Sequence, residues 1–185
     1  MASTAGICGS FKQEILQGMH NIGNAANSRT GGTAADTLRA ALYYTSATLT
    51  PDGTTVYSTT GEMVAQVFQS NGTTSLPTGY TAGGLTLANG AVQRTTITPT
   101  TPVAYWSPTG FAAGGQNALT WTSLSTGYNA SGAAYQFDTL LISNFTQGNK
   151  AIAIYTFGAT TLTSANFSLT IQSPATSSNA LIQLA

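Results

Sequence analysis

The sequence predicts an all-β protein: an antiparallel β-sandwich, jelly-roll or immunoglobulin-like, with one short N-terminal α-helix. Three observations predict it. Several short runs alternate apolar and polar residues with a period of two, most clearly FSLTI at 167–171. Turn residues punctuate these runs at short intervals, among them PDG at 51–53, Asn89-Gly90 and Gly148-Asn149. Helical spacing occurs in one stretch only, near the N-terminus. The 185 residues suffice for one core without disulfide or metal support. They divide into an N-terminal arm, helix and linker (1–36) and a sandwich domain (37–185).

The helix falls in residues 10–22, SFKQEILQGMHNI. Ser10 and Gln13 have the spacing of a capping box, and Glu14 suits the positive end of the helix dipole. Phe11, Ile15, Leu16, Met19 and Ile22 form the apolar face, and Gly23-Asn24 is the stop signal. Residues 25–36 carry no periodic pattern and read as a linker. Strand signals follow. Residues 37–44 (TLRAALYY) put Leu38, Ala40, Leu42 and Tyr44 on one face. PDG makes a turn, and residues 57–60 continue extended. Residues 62–69 (EMVAQVFQ) fit a helical turn or a strand equally, and NGTTSLPTG reads as a polar loop. Residues 85–87 form a short strand and 92–98 a Thr-rich, partly solvated one. Pro99 and Pro102 exclude a central strand at their positions. Residues 119–124, 135–145, 151–157 and 167–171 are further strands. AIAIYTF is apolar on both faces, which marks a buried central strand. The tail ALIQLA ends apolar and is expected to pair or dock.

Composition excludes several functions. Charged residues make up 5% of the chain, against about 25% in an average protein. Five Lys/Arg scattered along the sequence cannot neutralise a run of phosphates, so nucleic acid is not a partner. No window is apolar enough for a membrane-spanning helix, and the first nine residues lack the basic and apolar regions of a secretory signal. Cys8 is the only cysteine, so no internal disulfide forms, and no metal-ligand spacing occurs. His20 is the only histidine and has no carboxylate or thiol partner at catalytic-motif spacing. Glu62 and Asp138 are the nearest approach to a paired acid and base, on no more than a possible tertiary contact. The expectation is no catalytic residue, no cofactor and no metal. Asp138 stands in an apolar strand, outward-facing or buried with a partner such as Arg39. Tyr80, Tyr105, Trp106, Trp121 and Tyr128 would suit a glycan-stacking platform, or else core positions with polar tips at the surface.

A surface of Thr, Ser, Asn, Gln and Gly with almost no charge suits lasting contact with neighbours, because little charge must be desolvated. A secreted protein with a neutral surface is the alternative on composition. The order of pieces carries more. The helix SFKQEILQGMHNI is followed by LRAALYYTSATLTPDGTTVYSTTGE, GYTAGGLTL, LLISNFTQGNKAIAIYTFG, SANFSLTI and ALIQLA. In that order these motifs resemble a family of small virion structural proteins of tailed bacteriophages. Residues 24–36 and 99–118 depart from the family pattern as inserted or expanded segments. The resemblance implies a non-enzymatic particle component, most concretely a capsid cement or decoration protein located in the virion and assembled in the host cytoplasm. The major capsid protein and further copies of this chain, as a trimer or other homo-oligomer, are the implied partners. A tail, neck or fibre-attachment component is the first alternative and a glycan-binding adhesion module the second. Phe11, Ile15 and Met19 on the helix and Leu181, Ile182 and Leu184 in the tail are the candidate interface residues. Residues 2–9 are the candidate arm that orders on binding.

Overall fold

A computed structural model describes residues 2–22, 35–62, 67–68, 74–75, 80–87, 93–97, 101–106, 116–121, 136–161, 167–172 and 182–184. In chain order the elements are β1 (Gly6–Ile7), α1 (Gly9–Leu16), β2 (Leu38–Tyr44), β3 (Val67–Phe68), β4 (Thr74–Ser75) and β5 (Leu85–Leu87). After them come β6 (Gln93–Ile97), β7 (Thr101–Trp106), β8 (Gln116–Trp121), β9 (Gln136–Asn144), β10 (Lys150–Thr161), β11 (Phe167–Gln172) and β12 (Ile182–Leu184). The fold is antiparallel β-sheet with one short helix. Its main sheet has five strands in the order β1-β10-β9-β2-β5. Smaller sheets join β8 with β11, β3 with β4, and β12-β7-β6.

The core sits on β2, β9 and β10. Ala40, Ala41, Leu42 and Tyr43 are each 0% exposed. Successive strand residues point to opposite faces, so both faces of β2 are covered. Leu38, Ala40, Leu42 and Tyr44 share one face as expected, and Ala41 and Tyr43, apolar as well, bury the second. Leu140, Leu141 and Ile142 of β9 are also fully buried, each contributing roughly 1.5–3 kcal/mol. Ala151, Ile152, Ala153 and Ile154 of β10 are buried as their two-sided apolar run requires. The β9–β10 hairpin turns at Gly148 (φ 67°) and Asn149 (φ 62°), two residue types that tolerate the left-handed region.

Three register shifts shape this sheet, one of them between Thr156 and Thr160 of β10. Ala151 pairs with Ser143 and Ala153 with Ile142, so Ile152 is an extra residue in β10. Its carbonyl accepts the backbone N–H of Cys8 at 2.8 Å. Tyr43 pairs with Thr139 and Tyr44 with Phe137, so Asp138 is an extra residue in β9. The N-terminal residues dock on the same edge. Gly6 and Ile7 pair with Ile154 and Ala153, the Thr4 N–H donates to the Leu49 carbonyl at 2.8 Å, and Ser3 Oγ donates to the Ala47 carbonyl. The segment expected as an arm awaiting a partner is already hydrogen-bonded to its own chain.

The helix is shorter than its apolar pattern and begins differently. Cys8 is the N-cap and no side chain caps the helix. Ser10 lies inside the helix with its buried Oγ unpartnered, which overturns the capping box. Instead, the Gly9 N–H donates to the Pro51 carbonyl at 2.9 Å. At the other end Gly18 takes φ 67°. Its N–H donates to the Ile15 carbonyl and the Met19 N–H to the Glu14 carbonyl, both at 3.0 Å, closing a Schellman motif five residues before the expected stop at Gly23. Glu14 therefore sits past the first turn, and it faces inward.

Pro102 lies in β7, the middle strand of its sheet, against expectation. β12 pairs only with Ala104, Tyr105 and Trp106 of β7. Among the described residues β7 has one neighbour at Pro102, Thr96 of β6, so no ladder donor is lost to β12 on the other side. Residues 62–69 contain the bridge residue Glu62 and the strand β3, which pairs with β4 inside the expected polar loop. Most of the 25–36 linker, Asn89-Gly90 and Pro99 lie outside the described residues.

Candidate functional site

Two buried polar clusters stand on this frame. The first joins the helix to the ends of β9 and β10. The Gln147 backbone N–H donates to Asn144 Oδ1 at 3.1 Å, which fixes the orientation of that amide. Asn144 Nδ2 then donates one hydrogen to Asp36 Oδ2 at 2.7 Å. Its other hydrogen faces His20 Nδ1 at 2.8 Å. His20 Nδ1 is therefore an acceptor, and the ring carries its hydrogen on Nε2, 2.9 Å from Glu14 Oε2. Lys150 Nζ closes on Glu14 Oε1 at 2.8 Å. Asp36 also accepts from the Asn21 N–H at 2.7 Å and from Gln147 Nε2 at 3.1 Å. The Phe11 ring covers His20 with centroids 4.9 Å apart. Burial alone would raise the Glu14 carboxyl; the Lys150 ammonium and the His20 ring N–H together hold it below its ordinary value.

The second cluster surrounds Glu62, which is 0% exposed. Its carboxylate accepts from Tyr80 Oη at 3.0 Å, from the Gly83 backbone N–H at 2.8 Å and from Tyr57 Oη at 2.5 Å. Tyr80 Oη in turn accepts from the Leu42 N–H at 2.9 Å. Burial pushes the Glu62 carboxyl above the usual carboxylate range, with the three donors pulling it partly back. Burial and the neighbouring carboxylate push Tyr43, Tyr57 and Tyr80 upward as well. Tyr80, named above for a glycan platform, is core here.

Asp138 does not meet Arg39. The β2–β9 register puts Ser143 opposite Arg39, and Asp138 is five residues further along, about 17 Å at strand spacing. Asp138 is half-buried and accepts from Thr139 Oγ1 at 2.7 Å. The Arg39 guanidinium instead lies over the Phe145 ring, 3.8 Å from its centroid. Cys8 is fully buried, and burial followed by the Glu14 charge pushes its thiol up to about 11. A thiol so placed is a poor nucleophile.

The candidate interface residues separate. Phe11 is core, Ile15 is half-buried against the core, and Met19 is 39% exposed. Leu16 is 89% exposed and is the apolar residue of this helix most open to a neighbour. Ile182 and Leu184 pair through their backbones with Trp106 and Ala104. Leu181 and the side chains of Ile182 and Leu184 lie outside the described residues. A groove of about 490 Å³ runs between residues 46–49 and 53–61, lined by Ala47, Leu49, Val56 and hydroxyl side chains. Among the described residues no group of three His, Cys, Asp or Glu side chains is placed to hold a metal ion, and no helix is long and apolar enough to cross a membrane. Comparison with protein-family models, with curated proteins and with solved structures yields no match.

Proposed function

We propose that this chain is a non-enzymatic structural protein of a bacteriophage virion, a capsid cement or decoration protein that bridges neighbouring major capsid subunits. The observation that carries the reading is the scarcity of charge, ten charged side chains in 185 residues. A surface of hydroxyl and amide groups loses little solvation energy when covered, and weak contacts become durable when one molecule spans several subunits. The order of motifs that resembles phage virion proteins supports the same reading. So do the apolar side chains left in solvent: Leu16, Met19, Val56 and Phe145. In this reading the main sheet is one layer of a β-sandwich. The burial of both faces of β2 and β9 calls for covering layers, which the smaller sheets would supply. The partners are then the major capsid protein and further copies of this chain.

Quantitative gel densitometry of purified virions against the major capsid protein tests the proposal. Hundreds of copies per particle fit a shell protein. A ring's complement, on the order of tens or fewer, assigns the chain to tail or neck instead. Absence from the particle ends the virion reading. Heads stripped of this chain should lose resistance to heat and osmotic shock; unchanged resistance would remove the cementing role.

A further inference from the structure

Arg39 is placed unlike Lys150. Lys150 has Glu14 as its partner. All five Asp and Glu side chains of the chain lie within the described residues, and none forms an ion pair with Arg39. Its Nε is sealed from solvent with no hydrogen-bond acceptor. Glu62 is already satisfied by Tyr57, Tyr80 and the Gly83 N–H. The guanidinium is also held in place. The Phe145 ring, itself 46% exposed, lies 3.8 Å from its central carbon. Gly83 packs so closely that a Cβ there would come within 3.1 Å of Nη1 and 3.3 Å of Cδ. The side chain as a whole is only partly buried, and its terminal nitrogens are not among the sealed atoms.

A flexible solvated arginine would keep all five N–H groups in water. Here one has been dehydrated without replacement, and the planar group lies against a ring and close beside a glycine turn. That arrangement lowers the ordering cost of receiving a planar anion in end-on, bidentate fashion. We infer that the Arg39–Phe145 pair is a carboxylate-binding site. Its natural ligand is an Asp or Glu side chain of a neighbouring protein chain. The assignment of that neighbour to a capsid subunit rests on the function proposed above; the carboxylate site itself does not. A polyphosphate ligand is disfavoured because no second basic side chain joins Arg39 among the described residues.

The test is a titration of the isolated, folded chain followed at the Arg39 Nε–Hε resonance. Sodium acetate should shift this signal saturably, at concentrations below those that shift the same group of N-acetyl-arginine amide, while sodium chloride at equal ionic strength should not. Phe145→Leu keeps an apolar contact but removes the ring face, and should weaken the response with little effect on folding. Arg39→Lys removes the planar fork and should abolish retention on shells stripped of this chain. No acetate response beyond that of chloride overturns the site, and a stronger response to inorganic phosphate overturns its assignment to carboxylate. An acetate response with full shell retention by Arg39→Lys overturns the capsid subunit as source and leaves the site standing. Absence of the chain from virions defeats the proposed function without touching the acetate result.

Discussion

The ring of His20 and the amide of Asn144, 124 positions apart in the chain, meet at 2.8 Å beneath the helix. The contact makes Asn144 a hub. Its oxygen takes the Gln147 N–H, and its nitrogen serves both His20 and Asp36. Through His20 the hub reaches Glu14, and through Glu14 it reaches Lys150. The helix, the turn after it, the residues entering β2 and the β9–β10 hairpin are thus held by one network, where each buried polar atom depends on the next.

Asn144→Ala should break this network at its centre. His20 Nδ1 would lose its donor, and Asp36 the Asn144 amide. Deleting one partner and leaving others buried costs more than the bond itself, so a loss of about 3 kcal/mol is expected. Urea unfolding of both proteins measures it. In the parent chain, nitrogen chemical shifts of His20 should report the Nε2–H tautomer at neutral pH; the Nδ1–H tautomer would contradict the network.

Acid should loosen the same network through Glu14. Its folded-state carboxyl lies below the ordinary value of 4.5, held there by Lys150 and His20. In acid the unfolded chain therefore binds the proton more readily than the folded one. The stabilisation is complete above about pH 4.5 and is lost as the pH falls through the lower folded value. Glu14→Gln should be less stable than the parent at pH 7, and the gap should narrow below pH 4. Urea midpoints across this range check it; a constant gap would refute the coupling.

Glu62 has the opposite sign. Burial raises its carboxyl above 4.5 in the folded chain, so here the folded state holds the proton more tightly. This contribution favours folding below pH 4.5 and is lost as the pH rises through the raised value. Glu62→Gln should therefore remove a decline in stability between weakly acidic and neutral pH. The slope of urea midpoint against pH, compared between variant and parent, decides it.

Legibility in the sequence follows locality. β5 and β11 announce themselves by alternation and flanking turn residues, and β10 by its two-sided apolar run after Gly148-Asn149, because these are properties of a few adjacent positions. The helix start is also local, yet it misleads. Ser10 and Gln13 have capping-box spacing, but the neighbouring Pro51 carbonyl takes the Gly9 donor and the cap shifts to Cys8. The apolar pattern running on to Ile22 conceals the stop at Gly18, because Ile22 buries itself after the chain has left the helix. Neither polar cluster is visible in sequence. His20 meets Asn144 and Tyr80 meets Glu62 only through the strand order, which no local pattern encodes. Asp138 shows the same limit: a bulge and a register, not its neighbours in sequence, decide that it misses Arg39.

Gly84 offers the sharpest test of the β2–β5 edge. Its φ is +74°, and a Cβ built there would collide with the carbonyl oxygen of Ala40 on β2. The collision is with backbone, so no rotamer change relieves it. Leu85 pairs with Ala40 immediately afterwards, and the preceding Gly83 supplies the N–H that binds Glu62. Gly84→Ala should therefore push β5 off β2 and loosen the Glu62 cluster, at a cost of at least about 3 kcal/mol. Gly148→Ala is the matched control. Its φ is +67°, but nothing lies within 4 Å of the added carbon, so the left-handed conformation alone should cost about 1–2 kcal/mol. Urea unfolding of both variants measures the difference, and hydrogen exchange should show faster exchange at Leu85 and Leu87 in Gly84→Ala only. Equal losses in the two variants would mean that β5 does not depend on this close approach.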